Sequence, residues 1–188
     1  MILFFDTETT GLPVKGGLEL QPHIVQLAMM LTDKTGKIIS SSNFLIRQNN
    51  IIPPDSIKIH GKTDEMCLKY GLTRKTALSM FMFFLDRAEI LVAHNINFDV
   101  RMIENHLERE AMQDFPLIEK VCTQKIYTDK CKIPPTEAMK AKGMKCFKAP
   151  RLEEAYQWRF GKMFDNAHDA MADVLACKDL YFSAMQED

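Results

Sequence analysis

The stretch MILFFDTETTGL at the head of the chain sets two carboxylates, Asp6 and Glu8, one residue apart at the end of an apolar run. Extended backbone through this stretch would put both acids on one side, because side chains in a strand alternate with a period of two. Like charges held that close raise each other's pKa and repel. A divalent cation between them would make the arrangement tolerable. The alternative is a strand that ends in a solvated turn, with both acids capping the next element.

Two further acids stand out by position. Asp99, in HNINFDVRMIENHL, falls in the first turn of an expected helix and borders the stripe Val100, Ile103 and Leu107. A helix dipole alone would favour an acid there. Asp173, in HDAMADVLACKDLYF, lies on the apolar stripe Ala170, Val174, Cys177 and Tyr181. Buried aspartate is rare unless it is paired or binds metal. His168 stands just before that helix, where a histidine serves structure as readily as chemistry. Separately these signals decide nothing. Together, four carboxylates from a strand, a helix start and a late helix can converge on hard cations that prefer oxygen. Two such ions roughly 4 Å apart would clamp a phosphodiester for in-line attack by water. A nearby histidine would take that water's proton, since its ordinary pKa lies close to working pH.

These side chains need elements to position them. Ile2–Phe5 read as a buried strand, and the runs Ile24–Leu31 and Lys37–Ile46 as two more, joined as a hairpin by TDKTGK. Thr73 caps a helix to about Arg87, with Ala77, Phe81, Phe84 and Leu85 on one face. ILVAH, from Ile90, is a strand followed by a helix from about Asn97. Lys120–Lys125 is expected as a fifth strand, and 129–150, with Pro134, Pro135, Gly143 and Pro150, as mostly loop. Helices near 151–158 and 168–185 close the chain. A hairpin followed by alternating strands and helices predicts an α/β fold, a central mixed five-stranded sheet flanked by helices.

At 188 residues, 46% of them hydrophobic and 26% charged, the sequence predicts one domain over 1–188 with a substantial core. No stretch has the layout of a signal peptide, and the greasiest run, Leu78–Leu85, is too short to cross a bilayer. The expectation is a cytoplasmic protein with no membrane partner. Five scattered cysteines (67, 122, 131, 146, 177) without a CxxC pair argue for free thiols and against a zinc site. Net charge is −1, yet Lys120–Arg151 carries nine basic residues against Asp129 and Glu137, a net of +7. That segment is either a solvated surface or a face for phosphates.

In order and spacing, FDTETTG, HNINFD and HDAMAD resemble the three motifs of the DEDDh family of 3′–5′ exonucleases, and the resemblance runs to about Tyr181. IHGKT at 59–63 and APRLEEAYQWRFG resemble lesser family segments. The likeness is to the branch that includes the proofreading exonuclease subunit of bacterial replicative DNA polymerases and stand-alone relatives. It implies a ribonuclease-H-like fold and two divalent ions, Mg²⁺ or Mn²⁺, held by Asp6, Glu8, Asp99 and Asp173, with Asp6 bridging both. It implies His168 as general base. Thr9 and Gly11, with His60 and Asn95, would hold the 3′-terminal nucleotide. Phe98 would stack on a base, or else pack in the core. One departure is Cys122-Thr123, where many relatives carry Asp-Thr.

The implied activity is hydrolysis from the 3′ end of single-stranded or frayed DNA, releasing nucleoside 5′-monophosphates. RNA 3′-end trimming is the alternative, since the choice turns on contacts to a 2′-hydroxyl. A silent module that binds nucleic acid or a polymerase would be expected to lack one of the four acids or the histidine. All five are present. A DNA polymerase is a conceivable partner, while a chain without an appended tether suggests a stand-alone enzyme.

Overall fold

The computed structural model describes residues 1–47 and 49–186. Strand β1 (Ile2–Thr9) continues past Phe5 and carries extended backbone through both acids. β2 (Ile24–Thr32) and β3 (Ile38–Leu45) form the predicted antiparallel hairpin. Asp33 Oδ1 closes its turn by accepting the Thr35 N–H, the Thr35 hydroxyl and the Lys37 N–H, while Gly36 takes φ 90°. β4 (Ile90–Ala93) lies parallel to β1, and β5 (Glu119–Cys122) parallel to β4. The mixed sheet runs β3-β2-β1-β4-β5, which is the predicted ribonuclease-H-like arrangement.

A short 3₁₀ helix (Leu18–Leu20) and eight α-helices complete the described chain: α1 (Pro54–His60), α2 (Asp64–Tyr70), α3 (Arg74–Leu85), α4 (Ile96–Arg109), α5 (Thr123–Cys131), α6 (Glu137–Ala141), α7 (Leu152–Phe160) and α8 (Ala170–Met185). Thr73 caps α3 by accepting from the Thr76 N–H. One expectation is corrected and one feature was missed. The fifth strand stops at Cys122 instead of Lys125, because the buried Thr123 hydroxyl bonds the His94 ring and the Ala93 carbonyl and turns the chain into α5. Segment 129–150 is mostly loop as expected, with only the end of α5 and the short α6 inside it. The short helices α1 and α2 were not predicted; they cover Val25 and Ile52 as a small satellite core.

The parity of β1 decides where the acids go. Leu3 and Phe5 face α3 and α4, with Phe5 set against Phe81 at 5.2 Å between ring centres. Ile2 and Phe4 face the other way, onto α8, where Phe4 meets Tyr181 edge-on at 5.5 Å. Each fully buried phenylalanine contributes about 1.5–3 kcal/mol. Asp6 and Glu8 continue the even-numbered row and so emerge on the α8 side of the sheet. Directly after Glu8 the register with β2 slips, Glu8 pairing Gln26 but Thr9 pairing Ile24. Such bulges recur beside active sites, where they re-aim a side chain.

Candidate active site

Asp99 reaches the acids from the opposite layer. It sits in the first turn of α4, is only 2% exposed, and accepts both the Thr7 N–H (3.0 Å) and the Thr7 hydroxyl (2.7 Å) on one oxygen. Thr7 lies between Asp6 and Glu8 on the odd-numbered row, so it faces α4 while its neighbours face α8. Asp173 comes from the first turn of α8, half-buried, and its Oδ1 accepts a long bond from the His168 N–H at 3.4 Å. Glu8, His168 and Asp173 each offer a ligand atom within 4.8 Å of the others.

The electrostatics follow from this crowding. Burial pushes Asp6 well above the usual carboxylate range, and the charges of Asp99, Asp173 and Glu8 push it further. Glu8 is raised to about 8 by burial and by Asp173 and Asp99, against the pull of Lys62. Asp99 rises to about 7 through burial despite its bonds from Thr7, and Asp173 to about 7 chiefly through burial. Four carboxylates that resist ionising together are a donor set suited to hard divalent cations, whose charge would reverse every one of these shifts.

His168 occupies the rim. Its side chain is 49% exposed, and its Nε2 lies 3.4 Å from Glu153 Oε1 on α7. Around it, the other sequence candidates fall into distinct places. The Thr9 hydroxyl donates to the Gly11 carbonyl at 2.7 Å, shaping the turn that leaves β1. His60 is buried at the end of α1, its Nδ1 accepts the Lys62 N–H at 3.0 Å, and burial lowers its pKa. Between this α1–α2 turn and the 166–169 loop opens a cavity of about 590 Å³. Asn95 holds φ 67° at the junction of β4 and α4 with its side chain exposed, a conformation asparagine tolerates. Phe98 is half-buried and packs against the core, the alternative to base stacking.

Sequence reasoning missed Thr7, Lys62 and Glu153. Thr7 carried a signal, since a polar residue between two acids on a strand must face the other layer. Lys62 and Glu153 depend on contacts that no local pattern encodes.

Comparison with known proteins places this architecture. A family described as "Exonuclease" matches residues 3–181. DNA polymerase III subunit epsilon of Treponema pallidum is 36% identical over 117 residues, which cover 62% of this chain and 50% of that protein. The subunit of the same name from Pasteurella multocida is 29% identical over 109 residues, 57% of this chain and 42% of that one. Among solved structures, a zinc-bound E. coli ExoI–ssDNA complex matches with a TM-score of 0.79 at 20% identity, over 100% of this chain and 40% of that one. At that identity the likeness speaks for the fold. The chain spans half or less of the length of each of these proteins. It belongs to the exonuclease family, and the resemblance to the DEDDh branch read from its three motifs stands.

Proposed function

We propose that the chain is a metal-dependent 3′–5′ exonuclease acting on single-stranded or frayed DNA. The observation that carries this reading is the convergence of Asp6, Glu8, Asp99 and Asp173, all with raised pKa values, beside the half-exposed His168. When bound, two divalent ions, Mg²⁺ or Mn²⁺, would neutralise charge on the scissile phosphate and on the oxygens that attack and leave. Asp6 and Glu8 on β1, Asp99 on α4 and Asp173 on α8 would hold them. His168, at the rim, takes the proton of the attacking water, and its contact with Glu153 keeps the ring beside the cleft. The turn at Thr9 and Gly11, the buried His60 and Asn95 would hold the terminal nucleotide, while Phe98 packs against the core.

DNA is favoured over RNA because the similar proteins are DNA polymerase III subunits and an exonuclease solved with single-stranded DNA. The same likeness supports a DNA polymerase as a partner. The free cysteines suit a reducing, cytoplasmic setting, and among the described residues no helix is long and apolar enough to cross a membrane.

The test uses 5′-labelled single-stranded DNA and its RNA counterpart with Mg²⁺ or Mn²⁺. A ladder shortening from the 3′ end, lost in Asp6→Ala, in His168→Ala and with EDTA, is the expected result, and the two rates name the substrate. Retained binding without any ladder would instead mark a silent module.

A further inference from the structure

The loop that carries His168 is tied to the sheet by side chains that take no part in the chemistry above. Asp169 Oδ2 accepts from Lys62 Nζ at 2.8 Å and from Gln26 Nε2 at 3.0 Å. Its Oδ1 accepts the Met171 N–H at 3.2 Å and so caps α8. Gln26 also donates to Asn43 Oδ1 at 2.9 Å, and its Oε1 accepts the Ala170 N–H at 3.2 Å. Both ends of the Gln26 amide are therefore used, and the residue is 3% exposed. One buried side chain grips both the Asp169 carboxylate and the peptide that comes after it.

Three features make this more than a helix cap. Gln26 stands directly opposite Glu8 in the β1–β2 register, so the anchor shares a sheet row with a proposed metal ligand. His168 itself holds φ 69°. For a residue with a side chain that conformation costs on the order of 1 kcal/mol and persists only where the surroundings impose it. Finally, Asp169 is a fifth carboxylate beside four that already repel. Lys62, its side chain only 15% exposed, offsets that charge at contact distance.

We propose that Asp169, held by Lys62 and Gln26, is a positioning residue that sets where the His168 imidazole stands relative to Glu8 and Asp173. The proposal rests on the reading of His168 as the base, and the experiment separates the two.

Asp169→Asn keeps an oxygen for the Met171 N–H, and with it the cap, but sets an NH₂ group against the Lys62 and Gln26 donors. Lys62→Met breaks the same link from the other side. Turnover of 5′-labelled single-stranded DNA by the full chain with Mn²⁺ is measured for each, in the wild-type and His168→Ala backgrounds. A displacement of the base by about 1 Å costs on the order of 100-fold, so kcat should fall by about 10–100-fold. For Asp169→Asn, KM and Mn²⁺ affinity should stay within about twofold, and in the His168→Ala background, read from its residual turnover, this change should cost no more than about twofold. Unchanged kcat in both variants, or an equal loss in both backgrounds, overturns the positioning role. Wild-type turnover by His168→Ala overturns the base assignment and the positioning role with it. An inactive His168→Ala beside a fully active Asp169→Asn overturns the positioning role alone.

Discussion

Thr7 gives both of its donors, the backbone N–H and the hydroxyl, to the same oxygen of Asp99, at 3.0 and 2.7 Å. The bond joins the two layers of the site, because Thr7 belongs to β1 and Asp99 to α4. Thr7→Val keeps the shape and the N–H but removes the hydroxyl. Partners that orient a metal ligand typically govern affinity by 10–100-fold, so Mn²⁺ binding should weaken by about 10-fold. Calorimetric titration of the metal-free protein measures this. Unaltered affinity would mean that the backbone bond alone holds Asp99 in place.

The crowded acids make stability depend on pH in a particular direction. Asp99 and Asp173 titrate near 7 and Glu8 near 8 in the metal-free protein, so the folded chain holds more protons there than the unfolded chain. Their contribution is complete in acid and is lost as pH rises through these values. His23 and His106, lowered by burial to about 4 and about 3, act oppositely but are already neutral above about 6.5. Between about pH 6.5 and 8 the melting temperature should therefore fall in EDTA, and excess Mg²⁺ should cancel the fall. Glu8→Gln should flatten the EDTA curve, by on the order of 1 kcal/mol at pH 8. A melting temperature that climbs across this window in EDTA would contradict the raised carboxylates.

The basic segment divides into paired and unpaired lysines. Lys140 pairs with Glu137 and Lys148 with Glu154, while Lys132, Lys142 and Lys145 are exposed without an ion pair among the described residues. Partly exposed Met144 and Phe147 accompany them. Pro150, at the end of the segment, is fixed through its carbonyl to His94 and Gln124, next to the helix whose Glu153 meets His168. Lys142→Ala with Lys145→Ala, in an Asp6→Ala background and in EDTA to prevent digestion of the ligand, should lower the salt slope of single-strand binding by about 1.4. Anisotropy titrations across salt concentrations report it, and an unchanged slope would leave this segment without a role in binding.

Arg109 braces the loop that comes after β1. Its guanidinium donates to the carbonyls of Leu18 (2.6 Å), Gln21 (2.7 Å) and Pro22 (3.0 Å). Arg109→Ala should cost about 2 kcal/mol in denaturant unfolding, since charged hydrogen bonds to partly buried groups are lost. Because this loop continues from Thr9 and Gly11, KM should rise with kcat largely retained. A drop in kcat at unchanged KM would place the loop in the chemical step instead.

The sequence made the acids legible because parity on β1 and the apolar stripe of α8 are local patterns. The β2–β3 turn was legible for the same reason, through Asp33 and Gly36. The fifth strand was overrun because no glycine or proline marks its end in VCTQK, and only the tertiary bonds of Thr123 end it. α1 and α2, seven residues each, are too short to show a helical period. Pro54 at the start of α1 and Gly61 after it, with φ 71°, were the available markers. The grip of Gln26 and Lys62 on Asp169 joins positions 143 and 107 residues apart, beyond any window of local reading.

The packing of β1 on α8 has a consequence for when the enzyme comes into being. Asp6 and Asp173 are 167 positions apart in sequence, and the layer that unites them, Phe4 on Tyr181, closes almost the whole chain into one loop. Contacts of such long range form late, after the loop-closure entropy has been met. The β2–β3 hairpin and α3 carry none of the four carboxylates, and Asp173 joins the other three only when α8 closes on β1. The four acids therefore come together only once α8 docks on β1, so the whole site depends on that single closure.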